Sequence, residues 1–262
     1  MEKELFTAKD QIHQIFELDD KVYRISEENL VNCYLIVGSK KALLIDTGIG
    51  IGDLGEAIKE ITALPLEVVM THGHCDHTGG RNNFPEYWIN GKDLKPIYRI
   101  LSSNFAAGIM KKASKHKEAS PKAYKAKAKI LAEGQTFELG DRTIRYLEVP
   151  GHTKGSIALI DDQNKLMFTG DEVNPCLWMQ LPGCTTIKQW LPSAEKLNRL
   201  AKDYRSFYGH LDGHQDQAQI TQTITLAKEM LARVPDFSAH KTITYPDEKA
   251  EVQIVTKPSR IK

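Results

Sequence analysis

Charge of one sign is what this chain most clearly lacks: 35 Lys and Arg stand against 34 Asp and Glu, a net charge of +1. A chain that grips nucleic acid through its overall charge needs a basic excess, so that class of partner is disfavoured. Long apolar runs are also missing. No stretch approaches the roughly 20 residues that cross a bilayer, so no membrane partner is expected. Cysteine is scarce, and Cys33, Cys75, Cys176 and Cys184 form neither a C-x-x-C pair nor a regular framework. Free thiols in a reducing compartment fit that usage better than a disulfide-stapled secreted fold. Met1–Asp10 is charged and has no apolar centre of the kind a secretion signal carries. A cytoplasmic protein is expected. The 262 residues suffice for one large domain with a real core.

Histidine, by contrast, is concentrated. Thr71-His72-Gly73-His74-Cys75-Asp76-His77-Thr78-Gly79-Gly80 places three of the 9 imidazoles and a carboxylate within six residues. Imidazole nitrogen and carboxylate oxygen are ligands that zinc, iron and manganese accept. In extended chain, residues i and i+2 project to one side, so His72 and His74 can reach one metal together. Asp76 and His77 follow in a tight turn flanked by Gly79 and Gly80 and can face a second. Neither pair completes a shell. Further ligands must come from elsewhere, and three residues beside glycine at the ends of apolar runs offer themselves: His152 in Pro150-Gly151-His152, Asp171 in Thr169-Gly170-Asp171, and His210 in Tyr208-Gly209-His210.

Short apolar runs bounded by Gly, Asp or Pro predict strands at Gln11–Phe16, Val22–Ile25, Asn32–Val37, Ala42–Asp46 and Val68–Met70. A second set is predicted at Gln135–Leu139, Thr143–Val149, Ser156–Asp161, Leu166–Thr169 and Ser206–Tyr208. Helical spacing marks Asp53–Ala63, capped by Asp53, together with Ile187–Asp203 and Asp216–Val234. Strands then helix, twice over, predict two β/α halves packed as a sandwich, although no repeat joins the halves at the level of sequence. Between them, Lys92–Lys129 carries eleven basic residues against Asp93 and Glu118. It reads as a basic helical insertion at about 92–130. Such a run is either a solvated face or a lid that draws anionic substrates. Near the C-terminus, Thr242–Tyr245 and Glu251–Thr256 form a strand-like pair able to join each other or another subunit.

Taken in order, Asp46-Thr47-Gly48, the His-x-His-x-Asp-His segment, Gly151-His152-Thr153, Gly170-Asp171 and Gly209-His210 resemble the metallo-β-lactamase superfamily. The likeness runs from about Asn32 to His210. It implies an α/β fold, a four-layer αβ/βα sandwich, with a dinuclear metal site along one edge. Carried over position by position, His72, His74 and His152 would hold the first metal. Asp76, His77 and His210 would hold the second, with Asp171 bridging the two and Asp46 supporting from behind. The implied cofactors are two divalent ions, zinc above all, with iron or manganese also compatible. The implied activity is hydrolysis by a metal-bound hydroxide, with Asp76 orienting the nucleophile or relaying its proton. Cys75 reads as a packed or lining thiol.

The branch of the superfamily is left open. A thioesterase branch of glyoxalase II type fits the Gly-His-Thr and Gly-Asp motifs, but the glycine and arginine that often follow the bridging aspartate are replaced by Glu172 onward. Lactonases of this fold carry tyrosine three residues past that aspartate, where this chain has Asn174. Apolar Asn174–Thr186, with Trp178, Met179, Leu181 and Pro182, reads as a pocket wall, making Asn174 and Trp178 candidate substrate residues. A small ester, thioester or lactone is the expected small-molecule substrate. A phosphodiesterase or nuclease of the same fold, or a metal-binding sensor without turnover, is the alternative.

Overall fold

The computed structural model describes residues 2–94, 124–232, 242–246 and 250–261. Its first half builds a mixed sheet in which every strand lies beside its sequence neighbour. The strands are β1 (Lys3–Thr7), β2 (His13–Asp19), β3 (Val22–Glu27), β4 (Val31–Val37), β5 (Ala42–Ile45), β6 (Leu66–Val69), β7 (Glu86–Ile89) and β8 (Lys127–Ile130). Strands β1 to β5 run antiparallel to one another through short turns. From β5 onward the pairing is parallel, which requires crossovers. The first of these is helix α1 (Leu54–Lys59), whose N-terminus Asp53 caps by accepting the Glu56 amide at 3.0 Å.

The second sheet has the order β15 (His214–Gln215), β14 (Arg205–Phe207), β12 (Leu166–Phe168), β11 (Ile157–Asp161), β10 (Thr143–Glu148), β9 (Thr136–Glu138). Helix α3 (Ile187–Leu200) supplies the crossover between parallel strands β12 and β14, and helix α4 (Gln217–Ala232) follows β15. Three apolar layers result. Ile36, Leu43 and Ile45 of the first sheet meet Ile144, Leu159 and Phe168 of the second. Leu54 and Ile58 of α1 cover the outer face of the first sheet against Leu35, Leu44 and Met70. Trp190, Leu197, Ile220 and Ile224 of α3 and α4 cover the outer face of the second. This is the expected αβ/βα sandwich. β5 and β11 are buried on both faces, which is why Ala42-Leu43-Leu44-Ile45 and Ile157-Ala158-Leu159-Ile160 read as continuous apolar runs.

Three details depart from the sequence reading. Most of the expected helical insertion, residues 95–123, lies outside the described residues, but its end is not helical. Lys127–Ile130 forms strand β8, with Glu86 pairing Lys129 Nζ at 2.5 Å and the ammonium lying 4.7 Å from the Trp88 ring centroid. Lys127, Ala128 and Ile130 are all exposed and Lys129 is half-covered by Trp88, so both faces of this edge strand are open. The connection Asn174–Thr186 contains a strand, β13 (Cys176–Trp178). The C-terminal strands β16 (Ile243–Tyr245) and β17 (Gln253–Thr256) pair with each other, as the sequence allowed, but β17 also runs parallel to β13, forming a third small sheet.

Candidate metal centre

Each residue singled out from the sequence follows the carboxyl end of a strand along one edge of the sandwich: Asp46 after β5, His72 to His77 after β6, His152 after β10, Asp171 after β12 and His210 after β14. In sheets with parallel strands, that edge is where ligands gather. Asp76 and His77 lie in the single turn of helix α2 (Cys75–Thr78).

Two groups of donor atoms form there, His72 with His74 and His152, and Asp76 with His77, Asp171 and His210, each set lying within 4.8 Å of one another. In the first group His74 Nδ1 lies 2.8 Å from His152 Nε2 and 3.1 Å from His72 Nε2. The far side of each of two rings fixes its tautomer. Thr71 Oγ1 donates its proton to Asp46 Oδ2 at 2.8 Å, so it accepts from His72 Nδ1–H at 3.0 Å. His74 Nε2–H donates to the Pro182 carbonyl at 2.8 Å. His72 Nε2 and His74 Nδ1 therefore turn bare lone pairs toward each other. Burial, and then the neighbouring imidazoles, hold His72 well below its ordinary pKa and His152 down at about 3, so these rings stay neutral. Converging neutral lone pairs repel unless a cation sits among them. Tetrahedral zinc with bonds near 2.0–2.1 Å wants nitrogens roughly 3.3 Å apart, close to the spacing present.

The second group sets two carboxylates against two imidazoles. Asp171 Oδ2 lies 3.0 Å from His210 Nε2 and also 3.7 Å from His152 Nε2 of the first group. Asp76 Oδ2 lies 3.6 Å from His210 Nε2 and 3.9 Å from His77 Nε2. Burial works against charge on every member. The carboxylates nevertheless raise His77 well above its ordinary value and His210 to about 9, while these histidines lower Asp76 and Asp171. His77 Nε2 and Asp171 Oδ1 are buried with no hydrogen-bond partner among the described residues. These two atoms lie 3.5 Å apart, too far for a hydrogen bond, and together with the bare nitrogens of His72 and His74 they form a donor set suited to divalent metal. The residues fit the implied metals.

The framework behind them is a buried hydrogen-bond lattice. Asp46 Oδ1 accepts the Thr71 amide at 2.7 Å, and Oδ2 accepts Thr71 Oγ1 and His77 Nδ1, both at 2.8 Å. One carboxylate thus orients a histidine of each group, the supporting position expected of Asp46. His210 Nδ1 donates to the Leu30 carbonyl at 2.7 Å. Glu172 Oε2, fully buried, accepts the His152 amide at 2.8 Å. Gly209 allows the close approach of the second group, since a Cβ there would stand 2.4 Å from His77 Cε1. Sequence reasoning missed the roles of Thr71 and Glu172, because a threonine and a glutamate beside metal-type motifs carry no spacing signal of their own.

The family model described as the metallo-beta-lactamase superfamily matches residues 27–210. The chain belongs to this superfamily. Among curated proteins, it is 26% identical over 252 residues to the acyl-coenzyme A thioesterase MBLAC2 of Homo sapiens, covering 88% of each chain. It is 29% identical over 170 residues to an atrochrysone carboxyl ACP thioesterase of Emericella nidulans, covering 62% of this chain and 48% of that one. Among solved structures, a metallo-beta-lactamase from Pontibacter korlensis superposes with a TM-score of 0.58 at 20% identity, covering 82% of this chain and 98% of that one. A beta-lactamase domain protein from Burkholderia ambifaria gives 0.59 at 17% identity, covering 93% and 95%. A relative solved in a di-iron-bound form gives 0.56 at 24% identity, covering 73% and 92%.

Within this superfamily member, the other two sequence candidates fall in different places. Asn174 is buried, and its amide donates to the Asp171 carbonyl at 3.4 Å, bracing the turn beneath that carboxylate. Trp178 is 46% exposed at the end of β13. The loop that follows it carries Pro182, the acceptor for His74, and is pinned from the C-terminal segment. Arg260 Nη1 donates to the Met179 carbonyl at 3.1 Å and the Leu181 carbonyl at 2.5 Å. Burial pushes the Cys75 thiol up to about 12, with Asp76 adding to the effect, so it is a protonated lining group rather than a nucleophile. Among the described residues, no helix is long and apolar enough to cross a membrane.

Proposed function

We propose that the chain is a dinuclear metallo-hydrolase that cleaves thioesters, with an acyl-coenzyme A type substrate. The observation that carries the reading is the junction of the two donor groups at Asp171 Oδ2, within 3.7 Å of His152 Nε2 and 3.0 Å of His210 Nε2. His72, His74 and His152 would hold one ion, and Asp76, His77 and His210 the other, with Asp171 shared. Zinc suits five imidazoles and two carboxylates best, and iron is compatible with the same donors. When bound, such ions supply a water activated near neutral pH and positive charge for the developing oxyanion.

The chain's own residues do the rest. Asp76, whose Oδ2 lies 3.6 Å from His210 Nε2 and 3.9 Å from His77 Nε2, is the carboxylate that would orient the attacking water and take up its proton. Asp46 holds His77 in the tautomer whose Nε2 lone pair faces the centre. Pro182 does the same for His74 Nδ1. Trp178 and the loop after it form an apolar wall for the acyl group. A departing thiolate, with an ordinary pKa near 8.5, needs less help from an acid than an alkoxide does, which suits a site whose acid is the proton held on Asp76. The likeness to acyl-coenzyme A thioesterases over 88% of each chain supports the substrate class.

The test is metal analysis combined with a panel of acyl-coenzyme A thioesters, simple esters, lactones and phosphodiesters. Two ions per chain, with thioester turnover highest, is the expected result. His72→Ala or Asp171→Ala should lower bound metal and reduce kcat/KM at least about a thousandfold. A variant active at the parental rate would reject the ligand assignment, and turnover confined to phosphodiesters would reject the substrate class.

A further inference from the structure

Asp93 lies outside both donor groups. It ends a short helical turn, Gly91–Asp93, at the carboxyl end of β7, and is 2% exposed. Its carboxylate reaches both loops that carry the three-histidine group. Oδ2 accepts the Gly73 amide at 2.9 Å, the peptide between His72 and His74. The same oxygen accepts Thr153 Oγ1 at 2.6 Å, the residue directly after His152. Oδ1 accepts the Gly155 amide at 2.9 Å. The space for this carboxylate exists because two neighbours lack side chains. A Cβ on Gly73 would stand 2.9 Å from the Asp93 carbonyl oxygen, and one on Gly155 would stand 2.6 Å from Asp93 Cγ.

The geometry assigns Asp93 as the positioning residue that sets the distance between the His72–His74 loop of one sheet and the His152 loop of the other. The assignment rests on the proposed metal centre. Without Asp93, the first loop keeps the Ile157 amide to Thr71 carbonyl bond (2.9 Å) but loses its side-chain tie to Thr153 and Gly155, and the 2.8 Å approach of His74 to His152 is less firmly held. A carboxylate suits the post because all its partners are donors, and an amide in its place would turn at least one N–H toward another N–H.

The experiment measures stepwise zinc affinities by chelator competition in the full chain, with His152→Ala marking which step belongs to the three-histidine group. Asp93→Asn should leave far-UV circular dichroism unchanged and weaken that same step by about 10–100-fold, the usual effect of losing a group that orients ligands. With excess zinc, kcat should fall while KM changes little. If Asp93→Asn does not fold, Thr153→Val removes one of the three contacts and should weaken the same step by a smaller factor, with Thr153→Ser restoring it. Affinities of both steps within twofold of the parent in these variants would overturn the assignment. A parent that binds two zinc ions but turns over no thioester would remove the substrate reading and leave Asp93 decided by the affinities. A parent that binds none at the three histidines would overturn both.

Discussion

Asp46 has φ +64°, a left-handed backbone that costs a residue with a side chain about 1 kcal/mol or more. The conformation places its carboxylate against Thr71 and His77 at once, and three hydrogen bonds hold it there. Asp46, Asp93 and Glu172 are three buried carboxyl groups, each accepting a backbone amide of a segment that bears a metal-type residue. Trp178 is the contrasting case, a large apolar side chain left 46% exposed beside the loop that meets His74. The acyl wall of the proposed site rests on this exposed ring, and its removal tests that role. Trp178→Ala should raise KM for the preferred thioester by roughly fivefold, the equivalent of about 1 kcal/mol of lost apolar contact, with kcat and metal content kept. Unchanged kinetics would remove Trp178 from the pocket.

At the scale of elements, the loop between β13 and α3 is held at three places. β13 pairs with β17, Thr186 closes a capping box with Gln189 at the start of α3, and Arg260 binds two carbonyls in between. The Pro182 carbonyl that fixes the His74 tautomer therefore depends on a residue 78 positions later in the chain. Arg260→Ala should lower stability by about 1–2 kcal/mol and kcat/KM by roughly tenfold, read by thermal unfolding and steady-state kinetics. A fall in Tm with unaltered kcat/KM would show that the loop keeps its place without the guanidinium. This link was not legible in the sequence, because an arginine donating to carbonyls leaves no pattern. His72, His74, Asp76, His77, His152, Asp171 and His210 were legible, because metal chemistry restricts the residue types and strand ends place them beside glycine. The two-sheet fold was legible through its alternating and continuous apolar runs. β8 and β13 were not, since short edge strands rich in lysine or lying inside a connection resemble helix or loop.

For the whole molecule, the decisive arrangement is that the donor residues are divided between the sheets. His72, His74, Asp76 and His77 follow the first, and His152, Asp171 and His210 follow the second. An ion in either group therefore ties one sheet to the other, and binding adds to global stability. Zinc at about a hundred times its Kd contributes about 2.7 kcal/mol per site, so removing both ions with a chelator should lower Tm by roughly 10–20 °C. Equal Tm values with and without metal would mean that the groups do not bridge the sheets. The same division has a consequence in time. Contacts such as His74 with His152, and His210 with Leu30, join positions 78 and 180 residues apart, so a growing chain exposes its His-rich segment long before its partners exist. Loop closure over such distances is slow. In the proposed metal enzyme, capture of the ions would thus be a late event that seals an already docked pair of sheets, because a half-made chain offers only His72, His74, Asp76 and His77 and lacks the donors of the second sheet.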